Sequence, residues 1–441
     1  MTVVASSSKD VPPVLANGIK PTAGLRRYTL LLLLSMNILS FMDRQLPAIL
    51  MPSIRKELML SDSQIAFVMG LSFVLFYASV GLFLGRLADK FPRRIIISSC
   101  ITLWSAMTAL TGLATSFSHI ALARFGVGFG EAGLSPSSQS LISDLYPAKR
   151  RTTALAVYAL GIPLGGLCAF FIGGWLNEAV GWRATFLIMG VPGLILGALA
   201  FFTLRETVRG QADGMTMGEK PPPLREVFKA YWTARSYRFC VFATGFSGFT
   251  YGAVTHWAPS FLSRSYDMHS FAIGSWMAPA IGIGGGIGTL LGGRIVDKLR
   301  QRDLRWIGWV PAIALACCIV PVAVAFGQNN VYLSIVMLFV PVILAPMHLA
   351  PFSSIVQGIG NARMRGTGAA MSLLITTLIG SGIGSQLIGL VSDLLKPGYG
   401  EESLRYALLI LVPTGATITA LLFALGARSL PADLRRASAA P

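Results

Sequence analysis

The sequence predicts an all-α membrane protein: twelve transmembrane helices in two pseudo-symmetric six-helix bundles. Three observations carry that expectation. The chain has 441 residues, of which 54% are hydrophobic and only 12% charged, an apolar share above that of ordinary soluble domains. Twelve apolar runs are each long enough, at roughly 20 residues, to cross a bilayer. The two halves also repeat. Gly85-Arg86-Leu87-Ala88-Asp89-Lys90 after the second run returns 208 residues later as Gly293-Arg294-Ile295-Val296-Asp297-Lys298. Arg151-Thr152-Thr153 before the fifth run returns 214 residues later as Arg365-Gly366-Thr367. Parallel repeats of this kind suit a transporter whose site lies between the halves.

Taken in order, a polar tail (1–27) precedes runs at 28–51, 63–86, 95–115, 118–145, 152–176 and 184–204. A polar linker (205–236) with Gly210, Gly214, Gly218 and Pro221-Pro222-Pro223 interrupts the pattern. Runs at 237–262, 270–293, 305–326, 330–356, 367–392 and 405–427 follow, then a tail (428–441). The N-terminal bundle is thus expected over 28–204 and the C-terminal one over 237–427.

The net charge of +17 raises the possibility of a nucleic-acid partner, but the charge is distributed otherwise. Both tails, the linker and alternate loops hold 28 of the 36 basic residues, the opposite loops hold six, and Arg44 and Arg124 lie within runs. This positive-inside bias places both termini in the cytoplasm. It leaves no continuous basic face for nucleic acid. The chain is expected in the cell inner membrane. Five cysteines scattered within the runs give neither a disulfide framework nor metal-ligand spacing, so no metal and no cofactor is expected. No hydrolase or lipid-enzyme constellation is present, so the chain is not expected to be an enzyme.

Charges deep in a span are costly and face a partner or a wet cavity. Four occur here: Asp43 and Arg44 in the first run, Arg124 and Glu131 in the fourth. At 1.5 Å per residue, Asp43 lies roughly 12 Å and Arg124 roughly 9 Å below the outer edge, and Glu131 lies roughly 20 Å deep. Asp43 and Arg124 should therefore share a level, with Glu131 about two turns deeper. Arg124 and Glu131, seven residues apart, share a helix face. Gly126, Gly128, Gly130 and Gly133 permit close approach of neighbouring helices. Asp43 and Glu131 are the expected proton-coupling pair, and Arg44 or Arg124 is expected to hold an anionic head. The second half has no charge at depth. Its polar candidates are Thr250, Tyr251, His256, His348 and Thr376, with Phe249 as the candidate for an apolar wall. A charged head against the first half and an apolar body against the second would suit an amphiphile.

Gly85-Arg86-Leu87-Ala88-Asp89-Lys90-Phe91-Pro92-Arg93-Arg94 resembles the loop 2–3 signature of the major facilitator superfamily. Gly161-Ile162-Pro163-Leu164-Gly165-Gly166 resembles its glycine-proline motif, interrupted by Ile162. The resemblance implies a conformational gate at Gly85, Asp89, Arg93 and Arg94. Asp89 would bond a helix end, where exposed N–H groups favour a carboxylate, and Arg93 or Arg94 would make the accompanying contact. Asn37-Ile38-Leu39-Ser40-Phe41-Met42-Asp43-Arg44, the glycine-rich segment through Glu131-Ala132, and Leu141-Ile142-Ser143-Asp144-Leu145-Tyr146 together resemble the spinster branch. That implies proton-coupled transport of lysolipids or sphingoid and lipid phosphates by alternating access. The partners expected are an anionic amphiphile and the membrane, with the chain a monomer driven by a proton gradient. A proton-coupled small organic-anion symporter is the alternative.

Overall fold

A bilayer offers no hydrogen bonds to an exposed backbone, so apolar runs of this length must close their own as helices. The computed structural model describes residues 22–88, 91–207, 223–360 and 364–439, and among these there is no strand. The first bundle comprises α1 (Ala23–Leu58), α2 (62–88), α3 (Arg93–Thr111), α4 (117–145), α5 (148–180) and α6 (182–203). The second comprises α7 (235–266), α8 (270–299), α9 (306–327), α10 (331–359), α11 (365–399) and α12 (Ser403–Ala439). Between them a short linker helix, Leu224–Thr233, buries Val227 and Tyr231. Its Tyr231 hydroxyl donates to the Val356 carbonyl at 2.9 Å. The expected linker segment is therefore partly docked onto the second bundle.

Local sequence explains the irregularities. The join between α5 and α6 is a kink at Gly181, whose φ of 78° suits a residue without a Cβ. Helix α4 breaks at Ala132-Gly133, immediately after Glu131. Short π-helical segments interrupt α2 (Phe67–Leu71), α7 (Ala253–Trp257), α8 (Ala280–Gly284) and α11 (Leu378–Gly384), and such segments often mark functional positions.

The bundles meet along two seams of small residues. Where α2 crosses α11, a Cβ on Gly70 would lie 2.1 Å from the Ser381 carbonyl oxygen. Where α5 crosses α8, a Cβ on Gly174 would lie 2.6 Å from the Ser270 carbonyl, and one on Gly274 2.2 Å from that of Phe170. Both seams lie toward the end of the molecule where α1 turns into α2.

That end is closed by polar contacts between the bundles. The Asp62 carboxylate takes two bonds from Arg264, at 2.8 and 2.5 Å, and one from the Ser392 hydroxyl at 2.6 Å. Arg55 pairs with Glu401 at 2.8 Å. The Asp393 carboxylate accepts the Asp62 and Ser63 backbone N–H groups at 2.9 and 2.8 Å, so the end of α11 caps the start of α2. Glu178, near the end of α5, accepts the Phe271 N–H at the start of α8, at 3.2 Å. Each bundle thus caps a helix of the other. Asn177 extends the second contact, donating to Ser53 at 2.9 Å and Ser270 at 2.7 Å.

Candidate substrate and coupling site

Glu131 ends the first segment of α4 and is buried. It accepts a hydrogen bond from the Ser40 hydroxyl at 3.0 Å and forms a short ion pair with the Arg44 Nε. Ser40 lies one turn from Arg44 on α1, so the carboxylate sits at the Ser40 level and the arginine stem spans the remaining turn. The Arg44 guanidinium carbon lies 4.7, 5.1 and 4.5 Å from the ring centroids of Phe41, Phe73 and Tyr77, a cation–π arrangement that holds the charge without quenching it. The Arg44 side chain keeps 22% of its surface accessible, whereas that of Glu131 keeps none.

Arg124 and Asp43 form a second layer. The Arg124 Nη1 donates to the Asp43 carbonyl oxygen at 3.2 Å, placing the two residues at one level. Both are buried, and Arg124 also lies 5.3 Å from the Phe73 ring. Thr108 and Trp104 flank the Asp43 carboxylate, yet neither of its oxygens has a hydrogen-bond partner among the described residues. The glycines of α4 make this layer possible. A Cβ on Gly128 would meet the Phe73 carbonyl at 2.6 Å, and one on Gly130 the Trp104 backbone at 2.9 Å.

A cavity of about 240 Å³ opens beside Arg44 and Glu131. Its uncharged polar lining is Asn37, Ser40, Tyr77, Ser135, Gln139 and Tyr158, and Leu134, Leu155, Ala159 and Ile162 add apolar surface. It runs along α4 from Glu131 toward Gln139, away from the closed end. Its lining residues all belong to the first bundle.

The second-bundle candidates are placed differently. Phe249 is buried, wedged against Gly384 and Gly415, and does not line this cavity. Thr250 is buried with its hydroxyl unpartnered. Tyr251 packs near Gly285, where an added Cβ would lie 3.5 Å from its hydroxyl. His348 is buried within the second bundle, its Nδ1 2.6 Å from the Ala345 carbonyl and 3.0 Å from the Ser247 hydroxyl. The Thr376 hydroxyl donates to the Leu373 carbonyl at 3.1 Å. His256, in the π-helical segment of α7, is half-buried with its Nδ1 unpartnered and lies within electrostatic reach of Arg124. It is the second-bundle candidate brought near the charged layer.

Of the expected gate, Gly85 lies in the last turn of α2, while Asp89 falls outside the described residues. Arg93 is fully buried, paired with Asp144 of α4 and, at 2.7 Å, with Glu206. The nitrogen that meets Asp144, Nη1, also donates to Ser140 at 3.0 Å, and Nη2 donates to the Thr207 carbonyl at 3.0 Å. Arg94 instead lies over Phe201 at 5.8 Å, and its N–H donates to Glu206 at 3.2 Å. In the repeat, Asp297 pairs locally with Arg300 at 3.3 Å, both exposed.

Sequence reading missed the contacts between bundles. Asp62 stands 202 positions from Arg264 and 331 from Asp393, with no local pattern to join them. The one available signal was the capping box of Ser61 and Gln64, which marks the start of α2 but not its partner. Tyr77, Ser135, Gln139 and Tyr158 were likewise unremarkable in sequence.

Comparison with known proteins agrees with this geometry. Residues 33–385 match the Major Facilitator Superfamily. An MFS-type efflux pump of Mycolicibacterium smegmatis is 30% identical over 400 residues, covering 90% of this chain and 91% of that protein. The sphingosine-1-phosphate transporter SPNS2 of Danio rerio is 27% identical, covering 85% of this chain and 79% of its own length. A bacterial homologue of the human lysosomal transporter spinster, solved in an inward-facing and unoccupied conformation, superposes with a TM-score of 0.81 at 26% identity. That match covers 93% of this chain and 99% of the other.

Proposed function

We propose that this chain, which belongs to the major facilitator superfamily and is a spinster-type transporter, moves lysolipids or sphingoid and lipid phosphates by proton-coupled alternating access. The observation that carries the proposal is the pairing of Arg44 with Glu131 at the wall of a cavity lined by both polar and apolar side chains. The substrate named for the Danio rerio relative is an anionic amphiphile of the same kind. The inner membrane, with both termini cytoplasmic, is the setting that the charge bias of the loops supports. The end where α1 meets α2 is then the outer end, and its closure corresponds to an inward-facing state.

Charge balance gives the mechanism. Asp43, Arg44, Arg124 and Glu131 sum to zero. An anion entering this low-dielectric layer would leave it negative, and taking up one proton restores neutrality. Glu131 competes with the substrate for Arg44, because one guanidinium cannot give its best hydrogen bonds to two carboxylate-like partners at once. Protonating Glu131 frees Arg44 for the anionic head, and releasing the substrate lets the ion pair close again. Asp43 and Arg124 place a second carboxylate and guanidinium one level away, joined through the Asp43 backbone carbonyl and not as an ion pair. Proton and anion therefore favour each other's binding, as linkage requires. The proton gradient is the energy source and no cofactor takes part.

The test is competition by a homologous series of lysolipids in proteoliposomes, corrected for membrane partitioning. Each additional buried CH₂ should contribute about 0.8 kcal/mol, or roughly fourfold in affinity, until the apolar wall ends. A flat dependence on chain length would favour the small organic-anion symporter, since such a substrate needs only the polar and charged groups of the lining.

A further inference from the structure

The linker helix, Leu224–Thr233, sorts its residues onto four sides, each residue turning roughly 100° from the last. Val227 and Tyr231 share the side docked on the second bundle. Tyr231 fills a slot over two glycines: a Cβ on Gly360 would lie 2.1 Å from its hydroxyl, and one on Gly368 2.2 Å from its ring. The next side carries Leu224, Phe228 and Trp232, with Leu224 51% and Phe228 47% exposed. Beyond these come Arg225 and Lys229, both exposed, and last Glu226 and Thr233, also exposed. Arg264, near the far end of α7, bonds Asp62, so the linker helix lies at the end of the molecule opposite that closure.

The apolar side does not stop with the helix. The Phe228 and Trp232 rings stack at 5.1 Å, and Trp232 meets Phe242 of α7 edge-on at 6.1 Å. Phe242 is 37% exposed. Helix α7 packs on α11 through Tyr237, whose hydroxyl lies 2.9 Å from that of Ser372. It packs on α12 through Cys240, beside Gly426, and on α10 through Ser247, 3.0 Å from His348. Phe242 lies roughly 140–160° around the helix from each of these three. It therefore faces outward, into the acyl chains of the bilayer that α7 spans. The stripe of Leu224, Phe228 and Trp232 is thus continuous with a lipid-facing surface. The basic side borders that stripe, the arrangement of helices that lie in a headgroup layer, and Arg235, exposed at the start of α7, extends it.

We propose that the linker helix is a membrane-surface binding element, lying in the plane of the adjacent leaflet with Leu224, Phe228 and Trp232 in the acyl boundary and Arg225, Lys229 and Arg235 on anionic headgroups. The four sides match the four surroundings of a helix in that corner. Protein lies beside Val227 and Tyr231, acyl chains below the aromatic stripe, headgroups outward of the basic side, and water above Glu226 and Thr233. This surface is separate from the transport cavity and takes lipid as a support, not as cargo. Because Tyr231 ties the helix to α10 and α11, a grip on the leaflet here holds the second bundle, and not the first, level with the membrane surface.

The experiment uses the full-length protein carrying Cys168→Ser and Cys317→Ser, the two cysteines that are not buried. One NBD fluorophore is attached at a time, at Leu224→Cys, Phe228→Cys, Glu226→Cys or Thr233→Cys, in mixed vesicles of phosphatidylcholine and phosphatidylglycerol. Labels at Leu224 and Phe228 should be quenched by nitroxide on the acyl chains and shielded from aqueous iodide, and those at Glu226 and Thr233 the reverse. Nitroxide carried by phosphatidylglycerol should be enriched around Phe228 about fivefold over nitroxide carried by phosphatidylcholine, the scale of one basic side chain at an anionic surface. Arg225→Gln with Lys229→Gln should remove that enrichment and leave the chain contact in place. Equal quenching at all four positions, or chain-borne nitroxide that never reaches Leu224 and Phe228, would overturn the proposal. Energy transfer between Phe228 labels on separate copies, in place of lipid quenching, would overturn it in favour of an interface between copies of this chain. Equal quenching by the two lipids would overturn the assignment to anionic headgroups. No readout involves a transported substrate, so each outcome leaves the transporter reading untouched.

Discussion

Asp62→Asn should open the end of the molecule where α1 meets α2. The wild-type carboxylate is 1% exposed and holds Arg264 through two bonds, with the Ser392 hydroxyl as a third donor. Arg55 lies 3.6 Å away. Asparagine keeps the shape and one acceptor but loses the charge. Hydrogen bonds to charged groups contribute about 1.5–3 kcal/mol, so a net loss of about 2 kcal/mol is the expected cost. These contacts join the two bundles and exist only while this end is closed, so the whole loss falls on one side of the equilibrium. Two kcal/mol is about a 30-fold change in ratio, so a closed-to-open ratio of 100:1 would become about 3:1. Spin labels at Lys56→Cys and Lys396→Cys, both exposed and on opposite bundles, would report it once Cys317, also exposed, is replaced. Arg264→Gln should produce a similar shift, and the double variant little more than either, because both remove one interaction. An unchanged distance distribution in Asp62→Asn, or strict additivity of the pair, would refute the assignment of this cluster as a state-selective lock.

Asp393→Asn should weaken the same closure by about 1 kcal/mol, the scale of a helix cap, seen as a smaller shift between the same labels. Gly70→Ala places a methyl 2.1 Å from the Ser381 carbonyl position and should disfavour the closed outer end by about 1–3 kcal/mol. Gly24→Ala, with no neighbour within 4 Å, serves as the silent control, and equal effects of the two would count against the seam. Glu131→Gln should retain amphiphile binding while losing pH-gradient-driven uptake in proteoliposomes, and wild-type coupling in that variant would remove Glu131 from the mechanism. Arg93→Ala removes a buried guanidinium that pairs with both Asp144 and Glu206 and should lower thermal stability in detergent by about 3 kcal/mol. An unshifted unfolding midpoint would contradict a stabilising role for that cluster.

Helix number, repeat and buried charges were legible because membrane insertion imposes them on local sequence. A span must be long and apolar, and a charge within one is conspicuous. The level shared by Asp43 and Arg124 followed from helix rise alone. The choice of partner for Glu131 did not, since it depends on the reach of the Arg44 side chain and on where Ser40 lies on α1. The cavity departed from expectation for a similar reason. Phe249 looked like an apolar wall in sequence, but Gly384 and Gly415 leave a slot that its ring fills. The apolar part of the lining comes instead from Leu134, Leu155, Ala159 and Ile162 of the first bundle, at helical spacing that equally describes a lipid-facing surface. Asp62, Arg264 and Asp393 were illegible because charged residues in outer loops are ordinarily solvated, and only folding brings these three together.

The glycine seams bear on speed as well as on population. At Gly70, Gly174 and Gly274 the bundles touch backbone to backbone, with no side chain of these residues interlocked across the crossing. Surfaces that interdigitate can separate only if rotamers change and voids open along the way, so they resist sliding before they part. Bare backbone crossings present a nearly smooth bearing. Resistance to parting would then be low at these three crossings, leaving the barrier to neighbouring side-chain contacts such as Phe171 with Phe271 and to the ionic contacts where α1 meets α2. Such a machine can hold one state firmly and still leave it quickly once those contacts are broken.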